Sequence, residues 1–422
     1  MENRRERESR KQKLRERMID NERMDGGGYA DEMAAAAGEE AERIRRARKK
    51  RKRLRAVIIC LLAAVAAAGF LGYRYYERHH QYQSCRVVWE KEIGEGSFSG
   101  YEQYGENVLK YTRDGAVYYS RTGEEIWNQA YEMQSPFAST SGDYAVIADR
   151  NGYSIYICDK SGCQGVVTTT LPISKVAVSS TGVTVAILED SQSNYIAFYD
   201  KSGTKLQIEV QTTLSGNGYP LDLSISPNGM LLMVSYVYLD EGAMQNQVVF
   251  YNFDEEGQNI KDRLIGGFRE YGSSMVAKVQ FLDNTHACAF AEDRICFYSL
   301  ENTVQPEMIR QIDVEDEIAS ILYSDQYAGV ITGASGEDKT MTVYGKDGDQ
   351  VFETAVSMGY DEAGISGSSV ILYREAECAI YNMSGNLKYQ GTLDGSIAKV
   401  IGLGGNRYIQ ITPQAMKGLE LR

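Results

Sequence analysis

The sequence predicts an all-β fold: a β-propeller of eight blades, with seven as the alternative, preceded by one transmembrane helix and a charged arm. Three observations predict it. First, one phrase recurs seven times, an apolar stretch ending in an aromatic residue or Cys and followed by a polar turn. Its copies are AVYYSRTG (116–123), IYICDKSG (155–162), IAFYDKSG (196–203), VVFYNFDEEG (248–257), ICFYSLEN (295–302), MTVYGKDG (341–348) and CAIYNMSG (378–385). Second, the anchors Tyr119, Cys158, Tyr199, Tyr251, Tyr298, Tyr344 and Tyr381 are 39, 41, 52, 47, 46 and 37 residues apart, a period of about 44 that suits propeller blades. Third, a lone strand, CRVVWEKEI (85–93), precedes the first unit, while residues 396–422 supply only three strands. The N-terminal strand therefore completes the last blade, Trp89 standing where Trp127 stands in the first. Such closure leaves the ring no open end.

Taken in order, residues 1–55 form a charged arm with 19 Lys+Arg against 12 Asp+Glu, while the rest of the chain has a net charge of −20. Two stretches of the arm, 2–24 and 31–55, are helical or disordered and are split by Gly26-Gly27-Gly28. The first has almost no large apolar residues and so no face to bury. The second ends in a basic cluster of Arg45, Arg46, Arg48, Lys49, Lys50, Arg51, Lys52, Arg53 and Arg55. Residues 56–73 follow without a charge, at the short end of the length that spans a bilayer. The positive-inside rule then puts the N-terminus in the cytoplasm and the propeller outside, with the basic cluster against anionic lipid. A cleaved signal peptide is the alternative, but fifty preceding residues disfavour it. A stalk (74–85) leads to the propeller (86–422). No aromatic or base-reading motif accompanies the basic cluster, so nucleic acid is not an expected partner.

Within the propeller, each anchor is expected on an outer strand, packing between neighbouring blades. The chemistry-bearing patterns are missing: there is no HExxH, CxxC, GxSxG or P-loop, and adjacent His79 and His80 lack a third metal ligand. No catalytic residue, metal or cofactor is predicted. The three longest spacings are consecutive, and the extra residues read as loops: TTLSGNGYP (212–220), YLDEGAMQN (238–246), IGGFREYGSS (265–274) and GASGEDK (333–339). Loops joining second to third strands and blade to blade share one face of a propeller. Tyr219, Tyr238, Asp240, Glu241, Phe268, Arg269 and Tyr271 are thus the predicted partner-binding residues, aromatic and Arg side chains being common interface anchors. Six cysteines lie beyond the span. Cys158 with Cys163, Cys288 with Cys296, and Cys85 with Cys378 are the expected disulfides; six buried thiols are the alternative.

The layout, the VVWEKEI start and the (V/I)xxY turns resemble a family of uncharacterised bacterial membrane-anchored proteins with a Tyr-rich, propeller-like outer domain. The repeat also resembles WD40 and quinoprotein-like propellers, without their regular Trp-Asp dipeptide. The resemblance implies no substrate and no catalytic residue. The expected function is a single-pass, extracytoplasmic platform at the cell envelope for a protein partner or wall polysaccharide. The alternatives are a carbohydrate-active enzyme using channel carboxylates and a transmembrane signal transducer.

Overall fold

In a computed structural model the described residues are 8–14, 38, 43, 45, 49, 58–73, 75–76, 78–94, 99–214, 216–334, 336 and 338–422. The chain divides into two units, Met1–Glu77 and Arg78–Arg422. In the first unit, residues 8–14 and 58–73 are helical, and Ile59, Leu62, Val65 and Leu71 are exposed. Among the described residues no helix is long and apolar enough to cross a membrane, and the first two residues of the predicted span lie outside them. Of the basic cluster, Arg45 and Lys49 are helical and exposed; its other members lie outside the described residues.

The second unit is an eight-bladed propeller, each blade a four-stranded antiparallel sheet. Blades 1 to 7 cover 99–130, 136–168, 173–212, 219–272, 276–313, 318–355 and 362–392. Blade 8 joins 399–421 to Cys85–Glu92. The predicted closure is present: Cys85 opposes Leu421 and Glu92 opposes Ala415. Trp89 lies across Gly418, where a Cβ would come within 2.1 Å of the indole nitrogen, so only glycine fits. The unit starts before the predicted boundary at 86. Tyr82 donates its amide to the Lys388 carbonyl, and the Arg78 carbonyl accepts from Asn382 and Asn386.

First strands of successive blades pack against one another, which makes them the innermost. Second strands such as YAVIAD and TVAILE are buried on both faces between neighbouring blades, and so read as unbroken apolar runs. Fourth strands such as KLQIEVQT face solvent and alternate. All seven anchors are buried, but on third strands rather than outer ones. The pairing of third with fourth strand slips beside every anchor, for example between Phe250 and Tyr251 and between Ile380 and Tyr381. The repeated phrase is therefore the mark of a β-bulge, which strengthens the local twist before the outer strand. The polar turn after it is closed by a side chain: Asp200 accepts the amides of Ser202 (2.8 Å) and Thr204 (3.0 Å), with Gly203 at φ 83°.

Cys158 and Cys163 oppose each other across their hairpin and are joined by a disulfide. The other two expected pairs are free thiols. Cys288 opposes Phe297, whereas Cys296 opposes Ala289, so strand alternation sends the two sulfurs to opposite faces of blade 5. Cys288 accordingly packs toward blade 6 and Cys296 toward blade 4. Cys85 and Cys378 share the core between blades 7 and 8, unlinked, on the outer strand of one blade and the third strand of the other.

Candidate functional site

Strand order places 213–218, 241–242, 273–275 and 333–339 in the predicted classes, on one face of the ring (Ser215, Ser335 and Glu337 lie outside the described residues). The segment around 238–246 is not a loop. Leu231–Asp240 and Ala243–Asn252 are ten-residue strands, where their counterparts elsewhere have five to seven. Their turn is Glu241-Gly242, both at positive φ (49° and 85°), as a tight hairpin requires. The hairpin thus stands beyond the blade core by the pairs Tyr238–Gln245, Leu239–Met244 and Asp240–Ala243.

Alternation gives this extension two unlike sides. Leu239 follows the parity of Leu231 and Met233, which pack toward blade 5. At the tip that side is open, leaving the opposed Leu239 and Met244 48% and 65% exposed. Leu214 and Met275, on the flanking blade-to-blade loops, are exposed on the same face. On the blade 3 side the Arg269 guanidinium lies 5.2 Å from the centre of the Tyr238 ring. Its Nε donates to Gln247 Oε1 at 3.1 Å, and Gln247 Nε2 donates to the Asn217 carbonyl at 2.7 Å. Tyr238 and Arg269 therefore meet as predicted, with Asp240 and Glu241 exposed beside them.

Three predicted residues serve elsewhere. Tyr271 is 3% exposed, its hydroxyl hydrogen-bonded to that of Tyr298, and burial drives its pKa well above the usual phenol range. Phe268 opposes Val248 and packs 4.8 Å from the Tyr298 ring in the core between blades 4 and 5. The segment 265–274 read as a loop because of Gly266-Gly267, yet 265–272 lie within the outer strand Leu264–Gly272 and only 273–274 belong to the loop after it. Gly266 sits there against Pro306, where a Cβ would come within 2.6 Å. Tyr219 opens a first strand and donates to Glu189; burial first, then that carboxylate, pushes its pKa up to about 12. These side chains brace the hairpin's base. Sequence reading missed Leu239 and Met244, although the alternation around Glu241-Gly242 was the available signal.

Two of the inner-strand carboxylates are compensated by lysines, while Glu362, which opens the first strand of blade 7, is exposed and forms no ion pair with a described residue. Asp222, 5% exposed, lies 3.3 Å from Lys175 and 3.1 Å from Lys278, and its Oδ2 accepts the Val279 amide. Burial would lower the Lys278 pKa, but Asp222 and Tyr323 outweigh it and hold the ammonium above its usual range. Glu102 pairs with Lys399 at 3.4 Å. Among the described residues no three His, Cys, Asp or Glu side chains are grouped to hold a metal. A cleft of about 500 Å³ opens at the rim, where blades 3 and 4 diverge, between Gln207–Gln211 and Asp262–Leu264. Another, of about 290 Å³, opens beside the start of blade 2.

The chain belongs to a family of unknown function, DUF5711, which matches residues 78–421. No curated protein matches it. Among solved structures it is similar to Sqt1 of Saccharomyces cerevisiae, at TM-score 0.54 and 9% identity over 80% of this chain and 99% of that one. BamB from Moraxella catarrhalis gives 0.48 at 12% identity over 80% and 100%. Sqt1 of Chaetomium thermophilum, solved bound to the N-terminus of ribosomal protein L10, gives 0.49 at 11% over 76% and 92%. At these identities the likeness is one of fold.

Proposed function

We propose that this chain is a non-catalytic interaction platform, held at the cell membrane by residues 56–73, whose propeller docks an envelope protein on its loop-rich face. The observation that carries the reading is the blade 4 hairpin. Ring packing needs about six residues per strand, and the extra length projects an exposed Leu239–Met244 pair beside a braced Tyr238–Arg269 pair. Tyr and Arg are among the residue types that interface hot spots favour, and the Leu239–Met244 pair adds exposed apolar area beside them. The uncharged helix at 58–73, with exposed aliphatic side chains, supports anchoring, and the preceding basic cluster supports a cytoplasmic N-terminus. Among the described inner-strand carboxylates Asp222 and Glu102 are engaged by lysines, which leaves Glu362 as a single carboxylate where glycoside hydrolysis uses two, and so favours binding.

The test is crosslinking in living cells followed by mass spectrometry, comparing the intact chain with Leu239→Asp/Met244→Asp. A specific envelope protein recovered with the first and lost with the second is the expected result. Equal recovery with both would remove the hairpin from the interface. Protease added to intact cells should cleave the propeller loops; complete protection would overturn the outward orientation.

A further inference from the structure

An arginine recurs at the turn between second and third strands. Blade 1 reads T-R-D-G over 112–115 and blade 2 reads D-R-N-G over 149–152; Arg294 of blade 5 and Arg374 of blade 7 adjoin the same turn. The last two each meet a carboxylate, Arg294 with Asp293 at 2.7 Å and Arg374 with Asp361 at 3.7 Å. Arg113 and Arg150 are exposed and form no ion pair with any described residue, in a portion of the chain where acids far outnumber bases. Both line the cleft of about 290 Å³, together with Tyr111, Phe137 and the turn at 134–136.

The cleft holds the Arg150 side chain in place, with Arg113 on its edge. The Arg150 guanidinium lies 4.9 Å from the centre of the Phe137 ring, which supports it. Tyr111 reaches across Gly100, where a Cβ would come within 2.1 Å of its ring. Asp149, the acid adjoining Arg150, is turned to the backbone instead: its Oδ1 accepts the amides of Gln134 (3.0 Å) and Ser135 (2.7 Å). Asp114 and Glu132 flank Arg113 in the exposed chain without pairing to it. Two guanidinium groups are thus left facing one space, and the planar fork of each suits a carboxylate or phosphate.

We propose that this cleft binds a small oxyanion, a carboxylate or phosphate group held by Arg113 and Arg150, with Phe137 and Tyr111 alongside the rest of the ligand. The site lies on blades 1 and 2 and is independent of the hairpin on blade 4. The experiment is titration calorimetry of the full chain with glucuronate, glycerol phosphate and neutral glucose. At least one anion binds and glucose does not, and which anion binds identifies the source of the charge. In Arg113→Gln/Arg150→Gln the affinity falls by about tenfold or more, as expected for losing hydrogen bonds to a charged group. Arg374→Gln, at the equivalent turn of blade 7, keeps the wild-type affinity. Binding of neither anion, equal binding of glucose, or undiminished binding by the double variant would each overturn the proposal. Urea midpoints establish that the variants are folded; should the double variant fail to fold, Arg113→Gln alone, on an exposed turn, carries the same comparison.

Discussion

Blades 4 and 7 are built on the same repeat and do different things with it. Blade 7 has strands of five or six residues, and its anchor follows the preceding one by 37 residues, the shortest spacing in the chain. Blade 4 has strands of seven to ten residues, a pair of 3-10 turns before its outer strand, and the longest spacing, 52. Their cores are nevertheless equivalent: Phe250 and Ile380 are both buried on third strands, each one residue before its anchor. The ring thus prescribes a fixed thickness of packed strand. Residues beyond that thickness are free of the core. In blade 4 the hairpin at 241–242 projects on the face of the blade-to-blade loops, where it can serve recognition, while the 3-10 turns join third to fourth strand on the opposite face.

Four measurements would break or sharpen this contrast. The largest effect is expected in the shared core. Phe250→Ala should destabilise by about 3–5 kcal/mol and Ile380→Ala by about 2–5 kcal/mol, read from urea unfolding. A mild effect in blade 4 alone would mean that its core is not equivalent to that of blade 7. Next, the Tyr381 hydroxyl hydrogen-bonds both the amide (2.8 Å) and the hydroxyl (2.7 Å) of Ser357, so Tyr381→Phe should cost about 1–2 kcal/mol. Smaller still is the effect of replacing 238–245 with a two-residue Asn-Gly turn between the opposed Val237 and Asn246. Stability should change by less than about 1 kcal/mol, loop closure being only weakly length-dependent, while partner capture is lost. A large loss of stability would show the hairpin to be structural.

The smallest effect concerns acid. The Arg294 side chain holds the Asp293 carboxyl down at about 2. Burial pushes Asp283 up, but Lys346, the Thr285 amide and His286 overcome it and leave it below the usual range. Both pKa values are lower in the folded state than the usual 3.9 or so of the unfolded chain. Their stabilisation is therefore complete above about pH 4 and fades as pH falls toward 2. Asp293→Asn should partly flatten that part of the urea-midpoint profile, the share of Asp283 remaining. An unchanged profile would show that the Asp293–Arg294 pair contributes nothing.

The ring was legible because its repeat is chemical as well as periodic. A bulge needs a buried residue at a set place, a turn needs Asp, Asn or Ser and then Gly, and both leave marks in the chain. Closure was legible from the count of strands and from Trp89 matching Trp127. The candidate site was less so. Whether 265–274 is loop or strand depends on the close approach of Pro306 to Gly266, a contact between residues forty apart. The inward turn of Phe268 and Tyr271 depends on register, which composition does not carry. The same reason explains the cysteines. Cys158 and Cys163 oppose each other across a tight turn, whereas Cys288 and Cys296 are out of step by one residue, and one residue reverses the face.

The closing strand also sets a clock on biosynthesis. Residues 85–92 leave the ribosome first among the propeller's strands, and their partners at 415–421 follow some 330 residues later. At about 5–20 residues per second that interval is roughly 15–65 s. Throughout it the strand Cys85–Glu92 has no ladder partner, and blade 8 cannot exist. A nascent chain of this kind must keep one adhesive strand unpaired while seven blades form beside it. A chaperone that shields that strand would then decide how much of the protein closes on itself rather than on a neighbour.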